Sequence, residues 1–249
     1  MIGEDYKCSY TNEYDLTWYE VDCQKILKPA SLLNHLQDIA TKSADKIGIG
    51  MGFLEPRNYA WFLIKYHLEF NDYPQNMDKI LIRTEARGVS RLFAIRDFEI
   101  WTSDKSKLLG RASSQWAMIN LEDRGFVKIG NMEIMPTFEK REDDISFPKV
   151  NPQEVYESEK TFEVRYDDID INQHVNNANY ISWAFETLPL DFRKSHKPKF
   201  IDMIYKKDIK YGNNVVSKLK MEENTTHHLL VNKETDEQLC ILDVEWQKI

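Results

Sequence analysis

The chain has 249 residues, 42% of them hydrophobic and 12% aromatic, which is enough to bury a substantial core and excludes a disordered chain. Its net charge of −8 disfavours nonspecific binding to nucleic acid, so an anionic partner would have to be met by a local positive patch. No apolar run reaches the length of a membrane span, and the opening MIGEDYKCSYTNEYD is too acidic and polar for a signal peptide, which points to a cytoplasmic protein.

Cys8, Cys23 and Cys240 leave one thiol over in any pairing and have no metal-ligand spacing, so the expectation is reduced thiols, no disulfide framework and no zinc site.

In chain order, an alternating strand from Tyr14 runs into a polar loop and then a helix from about Ser31 to Ile47. The apolar residues Leu32, Leu33, Leu36, Ile39, Ala40, Ala44 and Ile47 share one face of that helix, and Gly48 and Gly50 end it. The strand-like segments WFLIKYHLEF, KILIRTEA, RLFAIRDFEIW and LLGRASSQWAMI follow, separated by turn residues such as 71–74 and 103–106. Residues 131–152, with three prolines and mixed charge, read as a connection.

The order then repeats. The stretch YDDIDINQHVNNANYISWAFETLP carries a polar loop into a helix that starts near Asn177, is apolar nearly all round and stops at Pro189, so it is expected to be buried on most sides. The segments FIDMIYKKDIKY, VVSKLKME, HHLLVNK and QLCILDVEWQKI come after it. The expected division is a first half at 1–130, a connecting segment at 131–155 and a second half at 156–249.

The repeat is gap-free between 14–33 and 162–181, at a constant offset of 148 residues. Leu16 falls on Val164, Trp18 on Tyr166, Val21 on Ile169 and Asp22 on Asp170. A helix followed by a long antiparallel sheet, used twice, predicts an α+β chain with a sheet wrapped around each helix.

The copies differ where chemistry could sit. Asp170 keeps its counterpart Asp22, whereas Asn172 falls on Gln24 and His174 on Ile26. The aspartate is therefore a requirement of the fold, and the Asn and His are not. A lone loop histidine is ordinarily a cap or a partner for a backbone group. Here the flanking Asp and Asn residues, and a helix N-terminus whose free amides can receive an anion, make His174 a site candidate. Asn176 and Asn177 read as helix caps.

The block DIDINQHVNNANYISWAFE resembles the acyl-acyl carrier protein thioesterases, double hotdog enzymes that hydrolyse fatty acyl thioesters. EVDCQKILKPASLLNHLQDIA, AWFLIKYHLEFNDYP, RLFAIRDFEIW and IYKKDIKYGNN extend the resemblance over nearly the whole chain, and it is to the bacterial form. It implies a tandem hotdog fold with an acyl-binding N-terminal half and a catalytic C-terminal half, acting in fatty acid biosynthesis.

The family completes its site with an acid, usually Glu, in a pattern similar to Y-x-x-E on a strand beyond the second helix. Matching Tyr205 puts Asp208 there, one methylene shorter, and pairing Tyr73 with Tyr211 puts Phe70 opposite it in the first half. Plant members often carry a Cys directly after that acid; Ile209 stands there instead.

The resemblance thus implies direct attack by water. Asp208 and His174 would position water and move its proton, Asp170 would orient the imidazole, and Asn172 would bond the water or the thioester carbonyl. Backbone amides at the start of the second helix would meet the oxyanion. Both His174 and Asp208 stay open as the base, and no metal or organic cofactor is implied.

Leu36, Ile39, Trp61 and Phe62 are candidates for the acyl pocket. Arg193, Lys194, Lys197 and Lys199, in DFRKSHKPKF after the site helix, are candidates for docking an acidic acyl carrier protein with its phosphopantetheine-linked chain. No nucleic acid or membrane span is expected, and the protein would be a monomer or homodimer. Acyl-CoA thioesterases and hydroxyacyl dehydratases share the hotdog fold. A noncatalytic acyl-thioester sensor would have lost the His or the acid, and both are present here.

Overall fold

Pro29, with its fixed φ and no N–H to leave unpaired, sits in the first turn of helix α1, Pro29–Lys46. The expected apolar face is the buried one, with Leu32, Leu33, Leu36, Ile39 and Ala40 inside. Gly48, at φ 80°, takes the left-handed conformation that closes the helix. The computed structural model describes residues 8–74, 78–90, 92–132 and 137–249. Arg91, expected to open a strand, and residues 133–136 of the expected connection lie outside them.

The chain divides into two compact units, Met1–Ser146 and Phe147–Ile249. In the first, α1 packs on strands β1, Ser9–Asp15, and β3, Lys79–Ser90. With β2, Tyr59–Phe70, β4, Phe93–Thr102, and β5, Leu108–Asn120, they form an antiparallel array in the order β1-β3-β4-β5-β2. A one-turn helix α2, Met51–Leu54, precedes β2.

Strand β3 is buried on both faces. Its inward residues Thr84 and Ala86 look toward the helix side, while Glu85 and Arg87, pointing the other way, are covered by residues 137–146. Arg141 makes a bidentate pair with the fully buried Glu85 at 2.8 and 2.7 Å, and Arg87 reaches Asp97 and Asp144, each at 2.5 Å. Paired charges of this kind tolerate burial that a single one would not. The start of the expected connecting stretch is thereby fastened to the first unit. Val150, near its end, enters a core cluster with Val216, Leu229, Val231 and Ile241 of the second.

The second unit repeats the plan. Strands β6, Ser158–Glu163, β7, His196–Tyr205, β8, Asn214–Met221, β9, Thr225–Asn232, and β10, Gln238–Lys248, are ordered β6-β8-β9-β10-β7. They pack on helix α3, Asn177–Glu186, through β8, β9 and β10. Ala178, Tyr180, Ile181, Trp183, Ala184 and Phe185 of α3 are all buried, as its composition requires.

Strand β7 departs from expectation at both ends. DFRKSHKPKF is divided between two elements: Leu190–Ser195 form helix α4, and the rest opens β7. At the other end β7 stops at Tyr205 rather than running to Tyr211, because Lys206 and Lys207 both turn their N–H groups onto the Leu239 carbonyl, at 2.8 and 3.3 Å. No described helix is long and apolar enough to cross a membrane.

Candidate functional site

The loop into α3 is built by Asp170. Its carboxylate accepts the Asn172 backbone N–H at 2.8 Å and the Asn172 side-chain amide at 3.3 Å, while its own N–H donates to the His174 carbonyl at 2.8 Å. Gln173 takes φ 62° at the tip, and Ile169 bridges Val175 across the base.

The first unit contains the same loop, residue for residue, 148 positions earlier. Asp22 accepts the Gln24 N–H at 2.8 Å and the Ile26 N–H at 3.0 Å, Lys25 sits at φ 63°, and Val21 bridges Leu27. Helices α1 and α3 start at the same offset, at Pro29 and Asn177. The Asp is thus a structural part of both copies, and the sequence repeat is a repeat of geometry.

What stands on the loop differs. In the second unit the His174 Nε2 lies 2.8 Å from the Asp208 Oδ2, with the two side chains 17% and 26% exposed, sheltered yet reachable. Asp208 meets the imidazole, and the Asp170 carboxylate accepts bonds that hold the turn, as that of Asp22 does.

Asp208 does not lie on a strand, as the family pattern suggested, but in the irregular segment that leaves β7. Three contacts bring that segment to the loop. The Val175 N–H donates to the Ile209 carbonyl at 3.1 Å, Tyr205 donates its hydroxyl to the Asn177 carbonyl at 3.1 Å, and Tyr180 meets Tyr205 edge to face with centroids 5.6 Å apart. The shorter acid therefore reaches the ring without a gap. Tyr205 and Tyr180 escaped sequence reasoning as site supports, although the Tyr three residues before the acid was in plain view.

The counterpart of Asp208 in the first unit needs correcting too. Asn71 and Asp72 donate to the Leu109 carbonyl at 2.9 and 3.0 Å, as Lys206 and Lys207 do to that of Leu239, so Phe70 matches Tyr205 and Tyr73 matches Asp208. Tyr73 is buried and stacks on Phe70 at 4.6 Å; its burial, with Asp22 nearby, holds the phenol well above its ordinary pKa. An acid is missing there either way.

The N-terminus of α3 is more occupied than expected. Asn176 is the N-cap, accepting the Ala178 N–H at 3.1 Å, and its carbonyl takes the Asn179 N–H at 2.9 Å. Asp168, tied to Arg165 at 2.7 Å, offers its carbonyl to the Asn176 N–H and the Asn179 side chain at 2.9 and 3.0 Å. These amides are committed to the helix start.

Of the pocket candidates, Trp61 lines a cleft in the first unit that encloses about 530 Å³ of empty space including its mouth. Ala40, Ala44, Ile49 and Trp116 share the lining, and the Trp61 Nε1 is anchored on the Ile49 carbonyl at 3.1 Å. Leu36 and Ile39 are fully buried core, and Phe62 is half-buried; none of these three lines the cleft. Sequence reasoning missed Trp116 and the small residues of α1, whose spacing marks the helix face but not the space left beside it.

Of the docking candidates, Arg193 pairs with Glu186 at 2.7 Å and Lys199 with Glu245 at 3.0 Å, while Lys194 stands in the last turn of α4 and Lys197 at the start of β7. The cluster is thus partly neutralised by its own neighbours.

Residues 7–136 match the acyl-ACP thioesterase N-terminal domain, and residues 152–248 match the acyl-ACP thioesterase C-terminal domain. An oleoyl-acyl carrier protein thioesterase from Arabidopsis thaliana chloroplasts is 25% identical over 96% of the chain and 77% of its own length; the chain spans 60% of a second such Arabidopsis enzyme.

The crystal structure of an acyl-ACP thioesterase from Bacteroides thetaiotaomicron superposes with a TM-score of 0.85 at 26% identity, covering 96% of this chain and 98% of that one. A 12:0-ACP thioesterase from Umbellularia californica, at 20% identity and a TM-score of 0.84, covers 98% and 99% and shares the fold. The fold is the α+β double hotdog, and with both of its domain types matched in order, the chain belongs to the acyl-ACP thioesterase family.

Proposed function

We infer that this family member hydrolyses fatty acyl-acyl carrier protein thioesters to free fatty acid and carrier protein by direct attack of water, with His174 and Asp208 handling the proton. The observation that carries this reading is the 2.8 Å His174–Asp208 contact, present on one copy of a repeated loop whose other copy has Ile26 and Tyr73.

Water attacks the thioester carbonyl carbon while the imidazole takes its proton, and Asp208 stabilises the imidazolium that forms. The Asn172 amide faces the charge that develops on the carbonyl oxygen. Collapse breaks the carbon–sulfur bond, and the imidazolium returns the proton to the departing thiolate of the phosphopantetheine arm. The acyl chain takes the apolar cleft of the N-terminal hotdog, and Asp170 serves by holding the turn on which His174 stands.

Cysteine chemistry has no place in this scheme. Cys240 is fully buried, and burial holds its thiol pKa far above the ordinary value. A folded variant combining Cys8→Ser, Cys23→Ser and Cys240→Ala is expected to keep kcat within about twofold of the parent. Loss of turnover in that variant would restore a covalent route.

Carrier recognition rests on the α4 cluster. A panel of acyl-ACP and acyl-CoA thioesters tests the function, with hydrolysis of the ACP thioesters expected. In the Arg193→Glu/Lys194→Glu/Lys197→Glu variant, KM for acyl-ACP is expected to rise about tenfold while KM for short acyl-CoA stays level, the difference shrinking at high salt. Equal effects on both substrates would remove this surface as the docking site and favour acyl-CoA as the substrate.

A further inference from the structure

The cleft of the first unit carries a group that a plain alkyl chain has no use for. Arg96, on β4, lines it beside Ala86, Ala94 and Ile95 and is only 7% exposed. Its Nη1 donates to the Ser43 Oγ at 2.9 Å and to the Thr84 Oγ1 at 3.2 Å, both neutral hydroxyls. Both bonds leave from one nitrogen of a group that carries five N–H donors. Among the described residues Nη2 and Nε have no acceptor, and no carboxylate lies within ion-pair distance.

The same strands show what the fold does with other buried arginines. Arg87, on the opposite face, holds Asp97 and Asp144 at 2.5 Å, and Arg83 approaches Glu99 at 3.8 Å. Asp97, next to Arg96 in sequence, points away, taken by Arg87 and by the Ser113 hydroxyl at 2.6 Å. Burial lowers the Arg96 pKa to about 10, which leaves it cationic at neutral pH. Across the sheet, Ser114 pairs with both Arg96 and Tyr66.

A buried cation without a counter-charge is among the costlier arrangements a protein can hold, and one that borders an empty cleft is completed by what enters it. The apolar lining suits methylenes, and the planar guanidinium suits two oxygens side by side. We propose that Arg96 anchors an aliphatic carboxylate in this cleft. The carboxylate belongs either to a free fatty acid or to the distal end of an acyl chain that is itself carried as a thioester. The second source rests on the thioesterase reading above; the first does not.

Calorimetric titration of the full chain with octanoate and with 1-octanol, followed in parallel by tryptophan fluorescence from Trp61 and Trp116, tests the anchor. Octanoate is expected to bind at least about tenfold tighter than octanol. Arg96→Met is expected to abolish that preference while still binding octanol, and Arg96→Lys, which keeps the charge, is expected to retain part of it. Equal binding of the two ligands to the parent overturns the proposal whether or not the methionine variant folds, and so does an unchanged preference in Arg96→Met.

Rates on octanoyl-CoA and 7-carboxyheptanoyl-CoA separate the sources. A relative gain for the carboxylated thioester that Arg96→Met removes identifies the acyl chain; no such gain, with octanoate bound through Arg96, identifies the free acid. A protein that hydrolyses thioesters but does not distinguish octanoate from octanol refutes the anchor alone. One that binds octanoate through Arg96 and hydrolyses nothing refutes the thioesterase reading alone.

Discussion

Replacing His174 with alanine is expected to lower kcat on acyl-ACP by about a thousandfold, with the fold intact. In the proposed scheme the imidazole meets both water and the leaving thiolate, so its loss removes proton transfer from both halves of the reaction. Stability is spared because His174 stands on the loop rather than in the core, and the loop's bonds come from Asp170 and from backbone groups. The first unit shows that the loop closes equally well around Ile26. Circular dichroism and a thermal melt matching the parent, with steady-state rates on a defined acyl-ACP, check both statements. A folded variant that turns over at the parental rate would sink the site assignment. Ile26→His is the internal control and is expected to add no activity, since Gln24 and Tyr73 stand where an Asn and an acid would be needed.

Asp208→Asn is expected to cost about a hundredfold or more in kcat, and Asp208→Glu no more than about tenfold. The amide keeps the size of the side chain and loses the charge that stabilises an imidazolium. The glutamate keeps the charge and is one methylene too long for a contact already closed at 2.8 Å. A split between the two variants in kcat, with KM little changed, separates a role in chemistry from one in packing. Parental rates in Asp208→Asn would reduce this residue to a surface charge.

The repeat was legible because it is written in local terms. The Asx turn at Asp22 and Asp170, the polar tip and the helix that follows each need residues close in sequence, so the offset of 148 positions could be read before any coordinates. The His–Asp pair was half legible. His174 declared itself by breaking the repeat, whereas Asp208 needed the family pattern, because its approach depends on β7 ending at Tyr205 and on the Leu239 carbonyl capturing Lys206 and Lys207.

The same long-range bonds moved the first-unit counterpart from Phe70 to Tyr73, which composition cannot reveal. The cleft was the least legible part. Leu36 and Ile39 announce a core, but the space beside Ala40 and Ala44 exists only once the sheet is laid against the helix, and Arg96 is one arginine in an ordinary alternating strand.

The stack of Tyr73 on Phe70 also bears on the history of the molecule. If the two units arose by duplication, the copy that lacks the His–Asp pair did not stay vacant: an aromatic ring 4% exposed now fills the place of the acid, and Ile26, 8% exposed, fills that of the imidazole. Restoring a reactive pair there would mean emptying packed volume, at a cost of about 3–5 kcal/mol for the aromatic alone. The asymmetry therefore works as a ratchet. Drift can still tune the copy that carries the pair, but building a pair in its twin would need several changes in a closed core.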